Sequence, residues 1–270
     1  MMCLLVVLLL ATTFSAQSLK FDLVRRDVVL ARLDSVPAKD IDREHQMQTY
    51  FEQAGCKNGS LSLEQPKHNR FGNVVCTLAG TSPQQIVVGA HFDHVDAGSG
   101  AVDNWSGASL LPSLYQALAA EPRKHTFVFV AFYGEEEGLF GSQYYVHELD
   151  KQALSHIDAM VNMDTLGLGP TEVWASHADP ELVQRAAVVA HSMKLPLTAV
   201  NFERVGSTDS ESFRDKKVPS ITFHSLTQST LHILHSREDQ LSQIKEDDYF
   251  DSYRLLAAYL SYLDESVRGR

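Results

Sequence analysis

Three glutamates, Glu135, Glu136 and Glu137, stand in a row within FYGEEEGLFGS, directly behind the apolar run HTFVFVAFY. Adjacent carboxylates repel one another, so their place at the end of a buried segment needs a reason. Two other apolar runs end in a similar way. QQIVVGA leads into His91-Phe92-Asp93, and DAMVNM leads into Asp164. The glycine-rich stretch GSGAVDNWSG carries Asp103, and LHILHSRED carries His232, His235 and Asp239. Each of these residues alone has an ordinary explanation. A histidine at a strand end is commonly a hydrogen-bonded core residue, and an aspartate beside glycines commonly caps a helix or closes a turn.

Together they suggest something more specific. His91, Asp103, Asp164, one glutamate and His235 offer two imidazoles and three carboxylates. That donor set suits zinc, and a carboxylate can bridge two ions. Two divalent ions about 3.5–4 Å apart acidify the water between them, and a nearby carboxylate can take its proton. Such chemistry needs two neighbouring acids in different roles, one a ligand and one a base. Side chains of consecutive residues diverge, so Glu135 and Glu136 can face different partners. Asp93 lies two residues from His91, on the same side of an extended chain. It can accept the second ring N–H of a ligating imidazole. His94 has the opposite parity and is left out of the ligand set. Other hydrolase signatures are missing: His147-Glu148 is followed by Leu149, Asp150 and Lys151 rather than the x-x-His of a zincin helix, and no Gly-x-Ser-x-Gly elbow occurs.

The elements that must position these residues are legible as alternating runs. FGNVVCTL, QQIVVGAHFD, HTFVFVAFYG, DAMVNMDTLG and PSITFHSL are rich in β-branched and aromatic residues and predict strands. SGASLLPSLYQALAAE, GSQYYVHELDKQAL, DPELVQRAAVVAHSMK and DDYFDSYRLLAAYLSYLDE predict helices. Residues 20–54 also read as helical, with Leu23, Val24, Val28, Leu30, Ala31 and Leu33 near one face and a glycine stop at Gly55. Alternation of this kind predicts an α/β domain with a largely parallel sheet whose strands are covered on both faces. In such sheets the site lies at the carboxyl ends of strands, which is where the candidate ligands fall. Pro112 sits inside the first predicted helix and should kink it or delay its start.

The chain has 270 residues and is 44% hydrophobic, enough for one large α/β domain or two small ones. A net charge of −11 argues against nucleic-acid or anionic-membrane partners. Residues 1–18, MMCLLVVLLLATTFSAQS, form an apolar run closed by small and polar residues, too short to span a bilayer comfortably. They read as a signal peptide, with cleavage after Ser15, Ala16 or Ser18, so a periplasmic or secreted protein is expected, without stable membrane association after cleavage; because no positive charge precedes the run, a retained N-terminal anchor is the alternative. Two cysteines then remain, Cys56 and Cys76, and in an exported protein they are expected to pair. Asn104-Trp105-Ser106 matches a glycosylation acceptor, but its position looks internal.

The segments GAHFDHV, GAVDNWSGAS, YGEEEGLFGS, VNMDTLG and LHSRED resemble, in order and context, those of the M28 zinc peptidases. These are co-catalytic aminopeptidases of the bacterial leucyl aminopeptidase type, related to glutaminyl cyclases. The resemblance runs from about residue 71 to 239. It implies one zinc-exopeptidase domain over residues 19–270, a three-layer α/β/α sandwich with a mixed, mostly parallel sheet and helices on both faces. It implies two zinc ions: His91 and Asp164 on one, Glu136 and His235 on the other, Asp103 bridging both. Glu135 would be the general base and Asp93 would support His91. Peptides would be the substrates. A cis peptide is implied after the bridging aspartate, between Asp103 and Asn104. Residues 206–213, GSTDSESF, resemble a loop that shapes the substrate pocket in relatives, which points to Asp209, Ser210 and Phe213. Ser210 stands where relatives often carry histidine, so side-chain preference does not carry over. Glu137 falls at a variable position and is expected to be solvated or salt-bridged. Two rival functions fit the same fold: a one-zinc glutaminyl cyclase, and a non-catalytic scaffold or receptor ectodomain. The retained base and full ligand set argue against the second.

Overall fold

The computed structural model describes residues 19–57, 59–67, 69–201 and 206–267. The expected signal peptide, residues 1–18, lies outside them. Among the described residues eight strands form one sheet: β1 (Leu61–Glu64), β2 (Asn73–Leu78), β3 (Gln85–His91), β4 (Thr126–Phe132), β5 (Ile157–Met163), β6 (Glu172–Trp174), β7 (Thr198–Val200) and β8 (Ser220–His224). The order is β1-β2-β4-β3-β5-β8-β6-β7. β4, β3, β5 and β8 run parallel at its centre, while β2 on one side and β6 on the other run antiparallel to their central neighbours. The five strand-like runs correspond to β2, β3, β4, β5 and β8. The short strands β1, β6 and β7 carry too few residues to show a pattern.

Parity sorts the apolar side chains. Ile86, Val88 and Ala90 of β3, with Phe127, Phe129 and Ala131 of β4, enter one large core. Val87, Val128, Val130 and Phe132 enter the core on the other side. Both faces are therefore buried, which is why these strands read as continuous apolar runs. The first core is covered by α1 (Arg26–Asp34), α2 (Asp40–Ala54), α3 (Ser106–Ala108), α4 (Leu111–Ala119), α7 (Pro180–Met193) and α9 (Glu246–Ser266). The second is covered by α5 (Phe140–Glu148), α6 (Lys151–Ser155) and α8 (Ser210–Asp215). The three-layer sandwich expected above is the fold observed.

Two local expectations need adjustment. The apolar face given to residues 20–34 is misplaced. Of its members Val24 and Leu33 are buried, but Leu23 and Val28 are exposed, and Val29 and Arg32 are buried in their stead. The Arg32 guanidinium donates to Ser113 and Gln116, so a basic residue occupies the packed face through hydrogen bonds that periodicity does not register. Pro112 delays the helix rather than kinking it: α4 begins at Leu111 and holds the proline in its first turn, where the missing N–H costs nothing. Cys56 and Cys76 are joined in a disulfide with Cα atoms 6.3 Å apart, tying the end of α2 to β2.

Candidate metal centre

Three of the central parallel strands deliver candidate residues to one edge of the sheet. β3 ends at His91, β4 precedes Glu135 and Glu136, and β5 precedes Asp164. Asp103 comes from the loop after β3, and His235 from the irregular segment after β8. β2 runs the opposite way, so its carboxyl end points away from the site and contributes no ligand.

Asp103 sits at the middle of the cluster. Its Oδ1 lies 3.3 Å from His91 Nε2, and its Oδ2 lies 3.3 Å from His235 Nε2. Asp164 Oδ1 is 3.8 Å from the same His91 nitrogen, and Glu136 Oε2 is 2.9 Å from the same His235 nitrogen. Two sets of donors result, His91–Asp103–Asp164 and Asp103–Glu136–His235, each with its ligand atoms within 4.8 Å of one another. His91, Glu135 and Glu136 also converge to that degree, so the base candidate borders both sets. His91 and Asp103 are buried, and His235 opens to solvent.

The donor set suits cations electrostatically. Burial lowers the His91 pKa, but the Glu135 charge and hydrogen bonds to Asp103, Asp164 and Asp93 outweigh it and hold the imidazole well above its usual range. Hydrogen bonds to Asp103 and Glu136 push His235 up to about 10. Burial raises Glu135, His91 opposes it, and the carboxylates of Asp164, Asp209 and Asp103 bring it to about 10. Burial raises the Asp103 pKa, but hydrogen bonds to His235 and His91 outweigh it and hold the carboxyl well below the usual carboxylate range, so it stays charged between the two imidazoles. Glu136 Oε1 is buried and accepts no hydrogen bond among the described residues. A buried anionic oxygen without a donor is expensive unless a cation meets it. The residues therefore fit zinc in both positions.

Other side chains hold the ligands. Asp93 lies beyond the end of β3, so strand parity is not what brings it to His91. Its backbone oxygen is 3.2 Å from His91 Nδ1 and its Oδ1 is 3.5 Å away. Its carboxylate also accepts the backbone N–H groups of Glu135 and Glu136, at 3.2 and 3.1 Å. Asp239 accepts the N–H of Val102 at 2.7 Å and of Asp103 at 3.2 Å. Asn104 donates to the Met163 carbonyl and accepts from Gly107 and Thr165, tying the Asp103 loop to the end of β5. The Asp103–Asn104 peptide is cis. Arg43, fully buried on α2, donates to the carbonyls of Phe92, Ser99 and Gly100. Asp239 and Asn104 stood inside recognised segments without an assigned role, and nothing in the local sequence singled out Arg43.

Gly138 and Gly141 shape the glutamate turn. Gly138 has φ +101°, and a Cβ on Gly141 would meet the Tyr133 carbonyl at 2.3 Å. Glu137 is exposed and accepts from the Tyr133 hydroxyl at 3.4 Å. His94 turns away to Asp40, 2.9 Å distant. Asn104 is fully buried, which rules out the glycosylation match.

A cavity of about 100 Å³ opens beside the cluster, with Trp174, Thr222, Leu226 and Leu234 among its walls. From the suspected specificity loop it is Gly206, Ser207 and Thr208 that line it. Asp209, Ser210 and Phe213 do not; they are buried behind the wall, so their direct assignment to the pocket is corrected. Phe213 packs on Phe132 and Tyr145, and Ser210 bonds to Thr208 and Thr222, which do line the cavity. Their short or apolar side chains serve the core, which the comparison of motifs alone did not convey.

Residues 73–260 match the model of peptidase family M28. The chain belongs to that family. Aminopeptidase YwaD of Bacillus subtilis is 27% identical over 173 residues, 61% of this chain but 38% of its own length. This M28 chain thus spans well under two thirds of that relative. The LapA aminopeptidase of Legionella pneumophila superposes with a TM-score of 0.75 at 18% identity, over 95% of this chain and 79% of its own. A glutaminyl cyclase from Fimbriiglobus ruber superposes with a TM-score of 0.68 at 17% identity, over 88% of this chain and 93% of its own. Both similarities concern the fold. Among the described residues no helix is long and apolar enough to cross a membrane.

Proposed function

We propose that this M28 protein is an exported, co-catalytic dizinc aminopeptidase that removes N-terminal residues from peptides. The observation that carries the reading is Asp103, whose two carboxylate oxygens face two different imidazoles. A carboxylate so placed is suited to bridge a pair of ions. His91 and Asp164 would complete one position, and Glu136 and His235 the other. Bound zinc would supply Lewis acidity for the scissile carbonyl and for the attacking water.

The chain's own groups supply the rest. A Glu135 oxygen comes within 4.8 Å of a His91 ring nitrogen without being needed in either bridged set, so its carboxylate is free to take the water proton and pass it to the leaving amine nitrogen. Asp93 anchors the turn that carries Glu135 and Glu136 by accepting both backbone N–H groups. The apolar cavity beside the cluster would receive the N-terminal side chain. At a net charge of −11 the surface offers nucleic acid no attraction.

Glutaminyl cyclization is the second reading, since a cyclase shares the fold over most of its length. Two complete donor sets favour two ions over one. Zinc content per chain, measured on the same sample as turnover of Leu- and Gln-terminal peptides, separates the two. Two zinc ions with release of leucine are expected. One tightly held zinc with pyroglutamate formation would overturn the aminopeptidase reading.

A further inference from the structure

The cavity beside the cluster has two unlike walls. One is the charged set, including His91, Asp164 and Glu135; the other includes Trp174, Leu226 and Leu234. A molecule in it would present its reacting group to the first wall and an apolar side chain to the second. The space is about 100 Å³. A cavity that holds a benzene ring measures about 150 Å³. A space of that size suits a branched aliphatic group better than a phenyl or indole ring.

The wall that limits this space is Trp174. It is the last residue of β6, a strand anchored on β8 by the Val173–Phe223 pairing. Its side chain is 4% exposed, and its ring lies flat on His177, with centroids 4.0 Å apart and planes 11° from parallel. Burial and stacking hold the indole in this position. Thr222 and Thr208, also among the lining residues, are held by the buried hydroxyl of Ser210, at 2.9 Å from each.

We propose that Trp174 sets the size limit of the substrate pocket, admitting small aliphatic N-terminal side chains and turning away aromatic ones. This rests on the aminopeptidase reading, and its test has two arms. In the first, kcat/KM of the zinc-loaded protein is measured on Ala-, Leu- and Phe-terminal p-nitroanilides. The second measures binding of L-leucinol and L-phenylalaninol to the same protein by calorimetry, which needs no turnover. Wild type should favour leucine over phenylalanine by about tenfold or more in both arms, and Trp174→Ala should raise the phenylalanine value about tenfold relative to leucine. Trp174→Leu, which keeps more of the packing, should shift the ratio in the same direction if the alanine variant folds poorly. An unchanged ratio in a folded variant, or a wild type that binds the aromatic ligand as well as the aliphatic one, overturns the proposal. Failure of every p-nitroanilide would instead count against the aminopeptidase reading, and the amino-alcohol affinities alone would then decide the size limit.

Discussion

Asp239 touches no candidate metal position, yet substituting it should weaken zinc binding. Its carboxylate is buried, at 4% exposure, and accepts two backbone N–H groups, Val102 at 2.7 Å and Asp103 at 3.2 Å. Asp239→Asn preserves shape and removes only one acceptor. Whichever way the amide is turned, its NH₂ then faces a backbone N–H, donor against donor. A buried hydrogen bond to a charged group contributes about 1.5–3 kcal/mol. If that loss falls on the loop that carries Asp103, zinc affinity should drop by about 10–100-fold, the range found when a group supporting a metal ligand is removed. The two figures agree, since each tenfold is about 1.4 kcal/mol. Competition with a fluorescent chelator measures the affinity directly, and circular dichroism of the metal-free variant shows whether the fold is retained. A folded Asp239→Asn protein with wild-type zinc affinity would refute the reasoning. It would mean that Arg43 and Asn104 hold the loop unaided.

Glu135→Gln should retain its zinc while peptide hydrolysis falls by about 10²–10⁴-fold, and undiminished turnover would remove Glu135 from the role of base. His125 lies at the opposite end of the sheet, between Asp158 at 3.3 Å and Asp264 at 3.2 Å. Burial lowers its pKa, but the Asp264 hydrogen bond and charge, with Asp158, raise it above its ordinary value. Its contribution to stability is then fully present below the unfolded value of about 6.5 and is lost as pH rises through the folded value. Urea midpoints across that window should therefore fall in wild type and stay flatter in His125→Gln. The Cys56–Cys76 bond closes a loop of 20 residues, which stabilises by about 3 kcal/mol. Cys76→Ser should lower Tm by about 10 °C, and an unchanged Tm under non-reducing conditions would show that the bond does not form.

The ligand candidates were legible because chemistry and position coincide in them. A residue that must meet a metal at the carboxyl end of a strand appears in the sequence as a polar residue after an apolar run. The supports obey no such rule. Arg43 lies on a helix 49 residues from the Phe92 carbonyl it serves, and Asp239 reaches back 136 residues to Asp103. Such contacts exist only once the chain has closed, so no local pattern records them. The same holds for the burial of Arg32 and for the short strands β6 and β7, which are defined by their pairing partners. Asp209 and Phe213 show the opposite difficulty. Their segment was recognised, but sequence spacing does not tell which residues of a loop line a cavity and which lie beneath it.

The run of three glutamates is best understood through Asp93. Its backbone oxygen and carboxylate approach one imidazole nitrogen of His91, and its carboxylate also receives the N–H groups of Glu135 and Glu136. A ligand of each proposed ion and the proposed base are therefore tied to a single side chain. Adjacent glutamates would be a liability in a flexible turn, because repulsion would scatter them. Here two backbone anchors set their directions before any charge is placed. Glu136 reaches His235 and Glu135 stays beside His91, so the repulsion that makes the sequence look unfavourable is offset by imidazoles on both sides. Glu137, with no such anchor, turns out to solvent. Consecutive acids thus acquire different work from the geometry of one turn, and the buried strand in front of them fixes where that turn stands.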